Sequence, residues 1–468
     1  VNKSFDLSAS FKAYDVRGIV GESITAEIVE AVGAAFVDVL GLGGQIVLVG
    51  GDMRPSSPEF SQAFARGATG RGADVVLLDL ISTDELYYAS GALNAAGVTF
   101  TASHNPAEYN GMKMCRAGAV PVSSETGLVE IQALAEQYLN SGSIPVAERT
   151  GTIGVRDALG GYAEYLRSLV DLSGSRPLKV VVDAGNGMGG LTTPAVLGDT
   201  LLPKLPLEII PLYFELDGSF PNHPANPLEP ENLRDLQAAV VSNQADIGIA
   251  FDGDADRCFV IDEQGNPVSP SAVTAMVARR EIVRAQAAGE DTPVIIHNLI
   301  TSRAVPELVE RLGGRPVRTR VGHSFIKAVM AKEGAVFGGE HSAHYYFRDF
   351  WNADTGMLAA MHVLAALGEQ PGPLSDLGRE YEPYFSSGEI NSRLDDVPAA
   401  VARVREEFES DGVTVDELDG LTFTADDGSW WFNLRASNTE PYLRLNAEAV
   451  DPQVLETLTE QVLAQVRQ

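Results

Sequence analysis

The stretch TFTASHNPAEYNGMK, residues 99–113, is where the fold first becomes legible. An apolar, β-branched run, AGVTFTA (96–102), stops abruptly at Ser103-His104-Asn105-Pro106. A strand that ends on small polar groups presents them at the edge of a sheet, where ligands meet α/β proteins. The plan recurs twice. IGIAFDGDADR (247–257) and GAVFGGEHSAH (334–344) are also apolar runs that break into polar clusters. Each of the three follows, some tens of residues on, a β run that opens into a polar or glycine-containing loop before a helical pattern. Those earlier runs are IVLVGGDMRPSSPEF (46–60), KVVVDAGNGMGG (179–190) and PVIIHNLITSRAV (293–305). Alternating β runs and helical patterns indicate α/β architecture. The repetition of plan, rather than of letters, predicts three related α/β domains, each aiming one loop at a shared cleft.

The C-terminal stretch differs. VPAAVARVREEF (397–408) reads as a helix, LTFTADDGSWWFNLRASNTEPYLRLNAEA (421–449) as strands around a loop, and DPQVLETLTEQVLAQV (451–466) as a closing helix. Asp451-Pro452 supplies that helix with an N-cap and a proline at its first position. A smaller α+β domain is expected here. The expected domains are 1–150, 151–266, 267–375 and 376–468, with GEQPGPLSDLG (368–378) as the clearest linker.

Bulk properties narrow the function. The chain has 468 residues, 45% of them apolar, which is ample for several cores. A net charge of −30 argues against nucleic acid or an anionic membrane as the main partner, though a locally basic cleft can still take a small anion. No apolar run approaches the roughly 18 residues of a membrane span. VNKSFDLSASFKAYDVRG (1–18) lacks the apolar core of a secretory signal. The two cysteines, Cys115 and Cys258, suggest neither a disulfide framework nor a zinc site, and read as small buried hydrophobes. A cytoplasmic protein is expected, as a monomer or weak homo-oligomer.

In FDGDADR (251–257), Asp252, Asp254 and Asp256 alternate, so an extended backbone would fan them to one side. Converging carboxylates call for a cation, and hard oxygen ligands favour Mg²⁺ or Ca²⁺ over zinc. With Glu263 they also match the spacing of an EF-hand loop. Arg257 stands where that loop needs glycine, and IGIAF is β-like where it needs a helix. In RASNTEP (435–441), Arg435 offers a planar fork of donors, and Ser437, Asn438 and Thr439 add short ones, a set suited to phosphate or to a turn between strands. In GGEHSAHYYFRDF (338–350), Glu340, Ser342 and His344 alternate toward one side, and a carboxylate with a hydroxyl could take a sugar diol. KAYDVRG (12–18) and RTRVGHSFIK (318–327) place Arg17 and His323 at loops.

Taken in order, KAYDVRG, TASHNPAEYNGMK, VVDAGNGMGG, FDGDADR, RVGHSFIK, GGEHSAH and RASNTEP resemble the motif series of the α-D-phosphohexomutase family across nearly the whole chain. The resemblance implies that Ser103 carries a phosphoryl group and completes the coordination of Mg²⁺ held by Asp252, Asp254 and Asp256. It implies transfer to a hexose monophosphate, reorientation of a hexose 1,6-bisphosphate, and return of the other phosphoryl to Ser103. A hexose 1,6-bisphosphate is then also the activator. Lys113, Arg17 and His104 fall on the Ser103 side, with Lys113 or Arg17 expected to assist the proton. Glu340 and Ser342 would hold the sugar, His323 and His344 phosphate or sugar, Arg435, Ser437, Asn438 and Thr439 the non-reacting phosphate, and Tyr14 and Arg257 the cleft wall. GEHSAH looks more like the loops of bacterial phosphomannomutases, which often accept glucose phosphates too, than like those of phosphoglucosamine mutases. One departure is HNLITSR (297–303), where Leu299 or a neighbour stands in place of a lysine that some relatives carry.

Overall fold

A computed structural model describes residues 4–436 and 442–468. Ser437, Asn438 and Thr439 lie outside the described residues, as does the side chain of His323. The predicted repetition is present in the strand order. In the first unit Ile46–Gly51 lies between Asp74–Leu80 and Ala96–Phe100, all parallel, and Tyr109–Arg116 returns antiparallel beside Ala96–Phe100. Leu178–Asp183, Leu207–Leu212, Ile247–Phe251 and Cys258–Asp262 repeat this arrangement. So do Val294–Asn298, Arg315–Thr319, Phe337–Gly339 and Tyr345–Phe347. Strands such as Ala96–Phe100 and Ile247–Phe251 are buried throughout, which is why they read as unbroken apolar runs.

The three polar clusters therefore occupy one structural position: the hairpin loops 101–108, 252–257 and 340–344, between the third parallel strand and its antiparallel partner. Each loop carries a non-glycine residue with positive φ: Ser103 at 51°, Ala255 at 60° and Ala343 at 67°. The backbone thus turns within each cluster instead of staying extended, and the turn, not a flat fan, brings the carboxylates together.

The expected boundaries need correction. Ile153–Val155 pairs with Asp74–Leu80, so the first sheet continues past 150. Pro267–Val268 still belongs to the second sheet, so that unit continues past 266. The stretch 368–378 is not simply a linker, because a helix, Leu374–Tyr381, begins within it. Leu374 and Tyr381 are buried in the same core as Met276, from the third unit's helix Pro270–Ala287, so that unit continues past 375.

One apolar core runs through all three α/β units, joining Leu48 and Leu86 to Val180 and Ile249 and on to Phe337 and Leu364. The fourth unit is an antiparallel sheet backed by helices Val397–Phe408 and Pro452–Val466, and its core is its own: Phe423, Phe432, Leu445 and Val462. Its closing helix is capped as expected, with Asp451 accepting from the Gln453 and Val454 amides. Polar contacts join it to the third unit: the Arg303 amide to Glu448 at 3.2 Å and Arg318 to Asp416 at 2.9 Å. Among the described residues no helix is long and apolar enough to cross a membrane.

Helix Thr83–Leu93 starts against the second unit with a capping box: Glu85 accepts the Ser82 amide at 2.8 Å, and Ser82 accepts the Glu85 amide. Burial pushes Glu85 up to about 8. The folded chain then holds a proton that the unfolded chain releases above its ordinary value of 4.5. Stability from this group is therefore present at low pH and declines as pH rises from about 4.5 to about 8. Glu85→Gln is expected to flatten that decline and to be the more stable form at the upper end of the range, as read by urea denaturation across it.

Candidate active site

Ser103 sits at the end of Ala96–Phe100 and is 3% exposed. Its Oγ donates to Asp252 Oδ2 at 3.0 Å, which joins the first unit's loop to the second's. Gly253 makes this approach possible. A Cβ there would lie 2.4 Å from the Ser103 carbonyl oxygen.

Asp252, Asp254 and Asp256 offer carboxylate oxygens within 4.8 Å of one another. All three are buried. Lys113 Nζ bridges Asp254 and Asp256 at 2.6 and 2.5 Å, and Arg257 Nε donates to Asp252 Oδ2 at 2.8 Å. Burial, with the neighbouring carboxylates, pushes Asp252 up despite Arg257. Burial acts on Asp254 and Asp256 as well, yet Lys113 holds both below the ordinary carboxylate range. Burial alone would lower Lys113; Asp254 and Asp256 outweigh it and keep the ammonium charged. One oxygen each on Asp254 and Asp256, both Oδ1, is buried without a hydrogen-bond partner among the described residues. Orphaned hard oxygens in a converging set are what a divalent oxygen-loving cation would satisfy, so the residues fit such an ion. An EF-hand is ruled out by geometry. Ile247–Phe251 is a strand, and Glu263 turns away to Ser375.

His104 accepts from Arg257 Nη2 through Nδ1 at 2.7 Å, because an arginine can only donate. Burial, then the charges of Arg257 and Arg17, lower its pKa to about 3. The ring is neutral with its proton on Nε2, which makes it an N–H donor rather than a base. Arg17 pairs with Asp15 at 2.7 Å and donates to Asn105 Oδ1 at 2.7 Å. Antiparallel pairing sets Arg17 opposite Gly111, two residues from Lys113, which puts both cations on one side of the Ser103 loop. Tyr14 lines the same cleft and meets Phe325 edge-on at 6.4 Å.

In the third unit's loop, Glu340, Ser342 and His344 do come together. Ser342 Oγ lies 3.0 Å from His344 Nδ1 and 3.4 Å from Glu340 Oε2, and Tyr346 donates to Glu340 at 2.7 Å. His344 Nε2 is 3.8 Å from Asp256 Oδ1, and Arg257 forms a β-bridge to His344, so this loop is stitched to the aspartate loop. In the fourth unit the Arg435 guanidinium lies 3.8 Å from Glu389 and 3.9 Å from Asp419, and its buried Nε has no hydrogen-bond partner among the described residues. That leaves donors for an anion.

Sequence reasoning passed over three residues, Thr83, Lys327 and Arg54. Thr83 Oγ1 donates to Asp254 Oδ2 at 2.6 Å. Lys327 reaches the cleft, pairing with Asp354 at 2.5 Å beneath the Tyr87 ring, while Leu299 is buried and offers no charge. Arg54 backs the Ser103 loop. Lys327 had a weak signal, four residues after His323 on one helical face. Arg54 lay in a crossover loop already noted, but nothing local distinguishes a buried arginine from a solvated one.

The order of units and loops has a counterpart among known proteins. The phosphoglucomutase/phosphomannomutase models match all four units: α/β/α domain I over residues 8–141, domain II over 160–265, domain III over 270–384 and the C-terminal domain over 389–465. The chain belongs to the phosphoglucomutase/phosphomannomutase family. Within that family it is 40% identical to a Xanthomonas campestris protein named for phosphohexose mutases, over 97% of this chain and 98% of that one. It is 39% identical to a phosphomannomutase of Escherichia coli, with the same coverage. An X-ray structure of a phosphoglucomutase/phosphomannomutase family protein from Burkholderia thailandensis, 29% identical, matches with a TM-score of 0.84 over 98% of this chain and 97% of that one.

Proposed function

We propose that this chain is a phosphomannomutase: it interconverts mannose 6-phosphate and mannose 1-phosphate through a phosphoserine, and acts on glucose phosphates as well. The observation that carries the reading is Ser103 Oγ, 3.0 Å from Asp252 Oδ2, at the rim of a carboxylate cluster with orphaned oxygens. Phosphoryl transfer depends on charge neutralisation and in-line placement. Asp252, Asp254 and Asp256, with the Ser103 phosphoryl, would hold Mg²⁺, which supplies charge neutralisation to the transferring group.

Phospho-Ser103 gives its phosphoryl to the free hydroxyl of a bound hexose monophosphate: the serine P–O bond breaks and a sugar P–O bond forms. The hydroxyl proton ends on Ser103 Oγ, the leaving oxygen. Lys113 and Arg17 are both held as cations and cannot take it, so they neutralise charge on the transferring group, while His104 stays neutral beside the serine. The resulting hexose 1,6-bisphosphate turns over in the cleft and returns its other phosphoryl to Ser103. Arg435, with Ser437, Asn438 and Thr439, clamps the phosphate that is not reacting. Glu340 and Ser342 bind the sugar's O3 and O4, which present alike in both orientations. His323 and His344 bind phosphate or sugar, Tyr14 completes the cleft wall, and Arg257 stands between His104 and Asp252. A trace of hexose 1,6-bisphosphate primes Ser103.

Turnover of mannose, glucose and glucosamine 1-phosphates, measured side by side with Mg²⁺ and glucose 1,6-bisphosphate, tests this. Mannose preference, or comparable mannose and glucose rates, is the expected result. A glucosamine preference would overturn the assignment of sugar, and no turnover would leave a sugar-phosphate-binding protein. A second prediction follows from the fourth unit's separate core and its polar seam with the third. That unit should swing to close over ligand and exclude water. Small-angle scattering should show a smaller radius of gyration with glucose 1,6-bisphosphate, and Arg435→Ala should lose the contraction. An unchanged radius in the parent protein would count against closure.

A further inference from the structure

The loop that carries Ser103 is the longest of the three hairpin loops, spanning 101–108 against 252–257 and 340–344. A longer loop has more conformations to exclude. This one must also hold Ser103 at a φ of 51°, a region that side-chain-bearing residues disfavour. The shorter loops, each with its own positive-φ residue, are held mainly through their side chains: Lys113 bridges Asp254 and Asp256, and Tyr346 donates to Glu340 at 2.7 Å. The Met188 amide donates to the Gly253 carbonyl at 2.9 Å, and Asn298 reaches Glu340 at 3.4 Å.

The Ser103 loop has an arginine under it. Arg54 enters from the crossover loop after Ile46–Gly51, and its side chain has no exposure. Nη2 donates to the carbonyls of Ser103 at 3.1 Å and Asn105 at 2.7 Å. Nη1 donates to those of Pro106 at 2.7 Å and Tyr109 at 2.8 Å. Nε is held by Asp52 at 3.3 Å, and Asp52 in turn accepts from the Arg54 amide and Ser57. Every guanidinium nitrogen is engaged, and three carbonyls of the loop, with that of Tyr109 at the start of the next strand, converge on one guanidinium. An ammonium offers its donors from a single point and cannot span that set. Arg17 holds the same loop from outside through Asn105 Oδ1 at 2.7 Å.

We propose that Arg54 is a positioning residue for phosphoryl transfer, holding the Ser103 carbonyl and those that follow so that Oγ faces Asp252. This rests on Ser103 as the phosphoryl carrier. Arg54 is not among the residues lining the cleft, so its loss should spare substrate binding and slow the transfer.

The test uses the full-length Arg54→Met and Arg54→Lys proteins, with Ser103→Ala in parallel, all checked by thermal melting. The readouts are kcat and KM for glucose 1-phosphate at saturating glucose 1,6-bisphosphate, and the rate of Ser103 phosphorylation by mass spectrometry. Loop misplacement of about 1 Å is enough for a fall in kcat of about 100-fold. That fall is expected with KM changed by less than about threefold and with slowed phosphorylation. Arg54→Lys fills similar volume and keeps the charge, so it carries the test if Arg54→Met does not fold. Asp52→Asn, which loosens only the Nε anchor, carries it if neither folds. A kcat within threefold of the parent overturns the proposal, as does a KM that rises in step with the fall in kcat. A Ser103→Ala protein that turns over normally would instead overturn the carrier reading, whatever the Arg54 variants do.

Discussion

Ser103→Ala is expected to lower turnover by at least about 10⁴-fold while leaving the fold intact, because removing a covalent nucleophile eliminates the route rather than weakening a contact. The structural cost should be small. Ser103 Oγ makes one hydrogen bond of 3.0 Å to Asp252 and a longer contact of 3.3 Å to His104. Alanine fills almost the same space, and the left-handed backbone at this position belongs to the loop. Hexose phosphate binding, followed by calorimetry, should persist. Substantial residual turnover would refute Ser103 as phosphoryl carrier, and loss of binding together with turnover would point to a collapsed loop instead.

Asp254→Asn is expected to separate catalysis from stability. Three buried carboxylates face Lys113 and Arg257, and Asp254 Oδ1 has no hydrogen-bond partner among the described residues. A cation at such a site is worth several kcal/mol of transition-state stabilisation, so turnover should fall by about 10³-fold. The metal-free protein should melt only slightly lower than the parent, because Lys113 loses its 2.6 Å partner on Asp254 but keeps Asp256 at 2.5 Å, and the oxygen that Thr83 engages at 2.6 Å remains. Binding to the folded state alone raises the melting temperature, so the parent should gain stability on adding Mg²⁺ and the variant should gain little. Equal gains would remove Asp254 from the ligand set.

The parts of the site legible beforehand are those in which neighbours in sequence are neighbours in space. Asp252, Asp254 and Asp256 sit on one hairpin loop, as do Glu340, Ser342 and His344, and the strands that deliver them are short apolar runs. Roles were harder to read than membership. His104 was grouped with proton-handling residues, yet Arg257, which lies 153 residues away, occupies its Nδ1. Arg257 was placed at the cleft wall, but it stands between His104 and Asp252, nearer the centre of the site. The boundary expected at 375 failed because proline and glycine mark a turn whether or not the chain beyond it returns to the same core, as Leu374 and Tyr381 do.

By itself the sequence determined the alternation of strands and helices, the threefold repetition, the separate C-terminal unit and the polar loops at the strand ends. These follow from local periodicity and from where apolar runs stop, which a chain expresses within a few residues. Only the tertiary structure decided what presses on those loops. Arg54 lies 49 residues from Ser103, Thr83 lies 171 from Asp254, and Asp84 lies 271 from Thr355, whose hydroxyl it accepts. Such contacts depend on how the units pack. Whether a given arginine is solvated or clamped beneath a loop is a property of that packing, and no local pattern encodes it.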